Sequence, residues 1–266
     1  MDNRPIGLLD SGVGGLSVVK KVIKKLPNES TIFIGDNKNM PYGDRNDEEI
    51  IHLVRQSVKF LLEQNVKLII FACNTATAVA MPVIEKEIDP QIIGVIQSGS
   101  LAAANATENH KIAVAATAAT VEAHAYKKEI LNRDPEADVI EVATPKLAPL
   151  VEAMKDDETN LEVVQDSLEP LKGREFDTFV MGCTHYPLIE DVFEKILPEN
   201  VDIIDPADQV AQYTYNVLKR DQMLSSENEA VHLYFTTGDA ENFAKKGRVF
   251  LQDNTLTAKH VDTENL

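Results

Sequence analysis

Cysteine is scarce: the 266 residues include two, Cys73 and Cys183, and tryptophan is absent altogether. So few thiols exclude a disulfide-stapled secreted framework, and no CxxC pair or histidine-rich cluster accompanies them as a metal site would require. Basic residues are also few, 26 Lys and Arg against 43 Asp and Glu, for a formal net charge of −17. That balance argues against a nucleic-acid partner or an anionic membrane surface, both of which call for a basic face. It leaves room for a small anionic substrate, because donors inside a pocket outweigh a distant surface field. Long hydrophobic runs are missing too, with no window approaching the roughly 18 consecutive apolar residues of a membrane helix. The start, "MDNRPIGLLDSG", passes from polar residues straight into an apolar strand without a signal-peptide core. The expectation is a cytoplasmic protein without a membrane partner, its two thiols free.

What the sequence does contain is a rhythm. Short β-branched apolar runs alternate with longer amphipathic segments, the pattern of βαβ units and a parallel sheet. In the first half the runs are "IGLLD" (6–10), "TIFIGD" (31–36), "KLIIFAC" (67–73) and "QIIGVI" (91–96); in the second they are "KIAVAAT" (111–117), "DVIEVAT" (138–144), "DTFVMGC" (177–183) and "VDIIDP" (201–206). "GLSVVKKVIKKL" and "EEIIHLVRQSVKFLLEQ" carry apolar residues at three- and four-residue spacing and so predict helices. Offsets between the halves are nearly constant: Ile6 to Ile112 is 106 positions, Ile32 to Val139 is 107, and Cys73 to Cys183 is 110.

The expected fold is therefore α/β, with two similar lobes, each a mostly parallel sheet flanked by helices. A pseudo-two-fold relates the lobes, and the active site falls in the cleft between them. The first lobe is expected to span 1–97 and 208–266, because the tail "VHLYFTTGDAENFAKKG" predicts a further strand, a turn at Gly238-Asp239 and a returning helix. The second spans 98–207, with no Pro- or Gly-rich linker at the crossing.

On this alignment both cysteines end the third strand of their half. Ligands of open α/β sheets sit at such carboxyl ends, so two facing lobes would set the thiols across one cleft. A lone free cysteine is ordinarily a small buried hydrophobe. Matched positions, each followed by polar residues ("CNT" and "CTH"), favour chemistry instead. Two acid/base groups on opposite faces of one carbon suit racemisation or epimerisation: one removes a proton and the other returns it from the far side. Nothing points to a pyridoxal lysine, so no cofactor is expected. The six scattered histidines give no metal-ligand spacing.

"IGLLDSGVGGLSV", "PYGDR" (41–45), "ACNTATA" (72–78), "GVIQSG" (94–99), "PLVE" (149–152), "GCTHYPL" (182–188) and "TTGDAENF" follow in order along nearly the whole chain. In these motifs the sequence resembles the cofactor-independent glutamate racemases of bacterial cell-wall synthesis. The resemblance implies conversion of L-glutamate to D-glutamate for peptidoglycan, in a homodimer, with Cys73 and Cys183 as the two acid/base residues. It departs from the family's habit at "AATAAT" (115–120), where a Gly-Thr pair is frequent, and at Met40, where "CPYG" is common.

By the same resemblance Asp10 assists Cys73 or holds the substrate ammonium, and Ser11 binds substrate. "DSGVGG" fits neither common nucleotide-loop pattern, so nucleotide binding is rejected. Pro41, Tyr42 and Gly43 form a loop in which, by resemblance, Tyr42 and Gly43 touch substrate mainly through backbone N–H groups. Asn74 and Thr75 open a helix and are natural caps. Thr184 is their counterpart in the other lobe, and Thr117 and Thr120 stand where the second lobe's donors belong. His185 sits beside Cys183 with a titration suited to proton relay, and Glu152 pairs with it. Three alternatives stand beside this reading. A related aspartate or hydantoin racemase would share the cysteines, a binding module would not need matched thiols, and a thiol redox protein would need them at disulfide distance.

Overall fold

In this computed structural model of the protein, residues 1–153 and 156–264 are described. Residues 265 and 266, at the end of the expected first lobe, lie outside them. The elements alternate as the apolar runs suggest. They are β1 (Ile6–Asp10), α1 (Leu16–Lys25), β2 (Thr31–Gly35), α2 (Asp47–Glu63), β3 (Leu68–Phe71), α3 (Asn74–Val79), α4 (Met81–Ile84), β4 (Gln91–Gly94) and α5 (Val95–Ala106). Then come β5 (Lys111–Ala116), α6 (Ala118–Glu122), α7 (Ala125–Arg133), β6 (Asp138–Ala143), α8 (Leu147–Glu152), α9 (Asp157–Ser167) and β7 (Thr178–Gly182). The chain closes with α10 (Glu190–Ile196), β8 (Asp202–Ile204), α11 (Pro206–Arg220), β9 (His232–Thr236), α12 (Ala240–Leu251) and β10 (Lys259–His260).

Two parallel sheets form, in the orders β10-β9-β2-β1-β3-β4 and β6-β5-β7-β8. Leaving aside the two tail strands, both follow one pattern: the first strand of each half lies between the second and the third. This is the pseudo-symmetry that the offsets suggest. The tail strand β9 pairs with β2, Thr31 opposite His232 and Gly35 opposite Thr236. The central strands β1, β2, β3 and β7 are buried along their whole length, as strands covered by helices on both faces must be, which is why they read as unbroken apolar runs.

The helices obey ordinary end chemistry. Asn46 caps α2 by accepting from the Glu49 N–H, and Asp47, Glu48 and Glu49 crowd its positive first turn. Helix α1 buries Val18, Val19 and Val22 and carries Lys24 and Lys25 at its negative end. The chain crosses to the second sheet through α5 and returns through α11, and these two pack on each other. A shared apolar core runs from Leu8 and Leu16 through Val95, Ile96 and Val210 to Ile112 and Phe179. Among the described residues no helix is long and apolar enough to cross a membrane.

Three local expectations need correction. The run "QIIGVI" is strand only to Gly94, and Val95 and Ile96 begin α5. A short, fully apolar run cannot be divided between strand and buried helix by periodicity alone. The cysteines lie just past their strands, since β3 stops at Phe71 and β7 at Gly182. A helix proper also follows only Cys73. After Cys183 comes a 3-10 turn at Tyr186–Ile189, with Pro187 near its start, before α10.

Candidate active site

The carboxyl ends of β1, β3, β5 and β7 converge on a cavity of about 390 Å³. From the first sheet's side it is lined by Ser11, Cys73, Asn74, Thr75 and the loop Pro41, Tyr42, Gly43. From the second side come Thr117, Glu152, Cys183, Thr184 and His185. Both cysteines are buried free thiols lining this one cavity, one from each side. Two expected residues stand behind the lining: Asp10, which is 1% exposed, and Thr120.

Two glycines let the halves meet. A Cβ on Gly14 would stand 2.6 Å from the His185 ring and from Thr184 Oγ1, so the loop after β1 lies directly on the second half's motif. A Cβ on Gly43 would fall 2.7 Å from Thr117 Cβ. Across the same seam Gly43 O accepts from the Ala119 N–H, and Ser17 Oγ donates to Thr184 O.

On the first side the helix cap is Cys73 itself, whose sulfur accepts from the Ala76 N–H at 3.4 Å and also meets Ser11 Oγ at 3.7 Å. Asn74 and Thr75 are the first residues of α3 rather than its caps. Burial, and then the negative charge of Asp10, push the Cys73 thiol up to about 12, against the opposing bonds from Ala76 and Ser11. Tyr126 donates to Asn74 Oδ1 at 2.7 Å, so what Asn74 can offer a ligand is its NH2 group. Thr75 meets Thr117 at 2.9 Å, and Thr117 meets Thr120 at 3.0 Å. The "AATAAT" segment therefore does bring hydroxyls to the cavity edge.

On the second side Cys183 Sγ stands 3.7 Å from His185 Nδ1, and His185 Nε2 lies 3.0 Å from Glu152 Oε1. Burial works against the imidazolium, but its contacts with Cys183 and Glu152 outweigh that and carry His185 up to about 10. Burial likewise opposes the Glu152 carboxylate, and the bonds from His185 and Lys246 hold it below its usual range all the same. Asp10 accepts from the Gly12 N–H at 2.8 Å and from Thr184 Oγ1 at 3.1 Å. Burial pushes its carboxyl up to about 6, with His185 chief among the groups pulling it back. Its hydrogen bonds thus tie Asp10 to the Cys183 strand end, while its charge is felt at Cys73.

The cavity has members to which the sequence analysis gives no site role: Met40, Ala148, Pro149, Ala153 and Lys246. Lys246 on α12 bonds Glu152 Oε2, and Phe250 of the same helix sets its ring edge-on to His185, centroids 5.9 Å apart. Asp36 lies outside that lining but supports it. At the end of β2 it accepts from Tyr42 Oη and from Thr237 Oγ1, each at 2.6 Å, and so anchors the 41–43 loop.

The sequence profile of the Asp/Glu/hydantoin racemase family matches residues 6–214. The chain is 67% identical over 266 residues to the glutamate racemase of Lactobacillus acidophilus, with 100% of both chains covered. Among solved structures it is similar to a glutamate racemase isoform from Bacillus anthracis, with a TM-score of 0.96, 36% identity and 98% of each chain covered. It is also similar to the glutamate racemase of Francisella tularensis in complex with D-glutamate, with a TM-score of 0.93, 31% identity and 100% of each chain covered.

Proposed function

The chain belongs to the Asp/Glu/hydantoin racemase family, and from that premise we propose that it interconverts L- and D-glutamate by proton transfer between two thiols and the α-carbon. One observation carries this reading. Cys73 and Cys183, from matching strand ends of two sheets, line a single cavity.

In the L-to-D direction Cys183, as thiolate, removes the Cα proton, and the Cys73 thiol delivers a proton to the opposite face. A base needs its charge supported, and His185 with its ring nitrogen 3.7 Å from Cys183 Sγ supplies that support as imidazolium. A donor needs its proton held until it is wanted, which suits a Cys73 thiol pushed up to about 12. The sulfurs exchange roles in the reverse direction, where the substrate's ammonium compensates the thiolate forming at Cys73. The hydroxyls of Ser11, Thr75 and Thr117 and the Asn74 amide are donors for the two carboxylates.

The same reading takes 1–97 with 208–266 and 98–207 as the working lobes of a cytoplasmic homodimer that supplies D-glutamate for peptidoglycan. Purified protein given L-glutamate, with no pyridoxal phosphate added, is expected to form D-glutamate until the two enantiomers are equal. Absence of D-glutamate, or its appearance only on adding pyridoxal phosphate, would refute the proposal.

A further inference from the structure

On the second side of the cavity a row of ionisable groups runs along the wall. Lys246 Nζ bonds Glu152 Oε2, Glu152 Oε1 holds His185 Nε2 at 3.0 Å, and His185 Nδ1 faces Cys183 Sγ at 3.7 Å. The first member comes from a distant part of the chain. Lys246 lies on α12, which packs on α1 and β9 of the first sheet's layer, whereas Glu152, His185 and Cys183 belong to the second sheet and its loops. Its side chain is 22% exposed, while those of Glu152 and His185 are 8% and 6% exposed.

We propose that Lys246 is a positioning residue of the reaction: it fixes the Glu152 carboxylate, so that Glu152 holds the His185 ring with Nδ1 on the Cys183 sulfur. The inference rests on reading Cys183 as an acid/base group. Its physical basis is the number of oxygens. A carboxylate bound through one oxygen can swing about its last torsion, and its partner ring swings with it. Bound through both oxygens, to a lysine on one side and an imidazole on the other, it has one orientation. An imidazole whose Nε2 proton is committed to a carboxylate can only accept at Nδ1 when neutral and donate there when charged, and both states serve a neighbouring sulfur. Phe250, one turn along α12, closes the remaining freedom of the ring by packing edge-on against it.

The consequence is kinetic. With the Lys246 amine committed to Glu152, its loss should misplace the base without removing a substrate contact. Misplacement of a reacting group by about 1 Å can cost on the order of 100-fold in rate. Lys246→Met should therefore lower kcat by about 10- to 100-fold in both directions, with KM little changed and the melting temperature close to wild type, because a partly exposed ion pair adds little stability. Lys246→Arg, which can bridge to the same oxygen, should recover most of kcat. The two enantiomers are equal in free energy, so kcat/KM must fall equally in the two directions, an internal check on the data.

The deciding measurement is a double-mutant cycle with Glu152→Gln. If Lys246 acts only through Glu152, Lys246→Met should add almost no loss in the Glu152→Gln background. A Lys246→Met enzyme retaining more than half of wild-type kcat would overturn the assignment. So would a rise in KM alone, a Lys246→Arg enzyme no better than Lys246→Met, or losses that multiply independently in the double mutant. Wild-type protein that does not racemise glutamate would instead dispose of the underlying reading, a separate outcome in the same experiment.

Discussion

Asp10 bears two demands that pull apart. Its carboxylate anchors Gly12 and Thr184 at the floor of the site, yet it is 1% exposed and burial carries its pKa from 3.8 up to about 6. A carboxyl with a folded pKa above its unfolded one costs nothing below the unfolded value and its full penalty above the folded one. Two pKa units correspond to roughly 3 kcal/mol. Asp10→Asn should then be more stable than wild type above about pH 6, by up to ~3 kcal/mol less the weakened Thr184 bond, with the gap closing as pH falls toward about 4. Catalysis should fall at the same time, a stability gain at an active-site position. Urea unfolding of both proteins across that pH range checks it, and a gap that does not change with pH would contradict it. At the cysteines the demand is simpler, since the proposed mechanism makes each the proton carrier for its own face. Cys73→Ala and Cys183→Ala should each lose more than the roughly 10²- to 10⁴-fold credited to one positioned acid/base group. Either variant keeping about a tenth of the activity would show that a second thiol is not required.

At the scale of elements, the strand ends were the legible part of the sequence and the supports around them were not. Cys73 and Cys183 show themselves because a parallel strand is a continuous apolar run, so a polar triplet after it marks the carboxyl edge where sites form. Lys246 sits in "NFAKKGRVF", where two adjacent lysines on an amphipathic helix look like an ordinary solvated face. What distinguishes it is contact with Glu152, 94 positions away, which no local pattern encodes. Asp36 is hidden for the same reason, because Thr237, which binds it, lies 201 positions on. That anchor can be tested. Asp36→Ala leaves the buried hydroxyls of Tyr42 and Thr237 without their acceptor, at about 1–3 kcal/mol each. Stability should drop by roughly 2–6 kcal/mol, and KM should rise as the 41–43 loop loosens, while Asp36→Asn keeps an acceptor and most of both. Wild-type stability in Asp36→Ala would show the loop to be held by something else.

The whole molecule is a pair of half-sites that face each other, and the chain crosses between them twice, through α5 and α11. This explains why no linker composition marks the boundary: the crossings are helices whose buried faces belong to one apolar core. A net charge of −17 does not bar an anionic substrate from such a cavity, whose wall carries His185, Lys246 and a set of hydroxyls. In the proposed reaction the proton removed and the proton delivered belong to different sulfurs on opposite faces of one carbon. Running the reaction from L-glutamate in D2O, and reading the Cα position by proton NMR or mass spectrometry at initial rates, tests it most directly. The two-thiol account predicts D-glutamate that carries deuterium at Cα from its first appearance, while the remaining L-glutamate is still protiated. Early D-glutamate that retains the substrate's own hydrogen would mean that one base serves both faces, and would contradict the account.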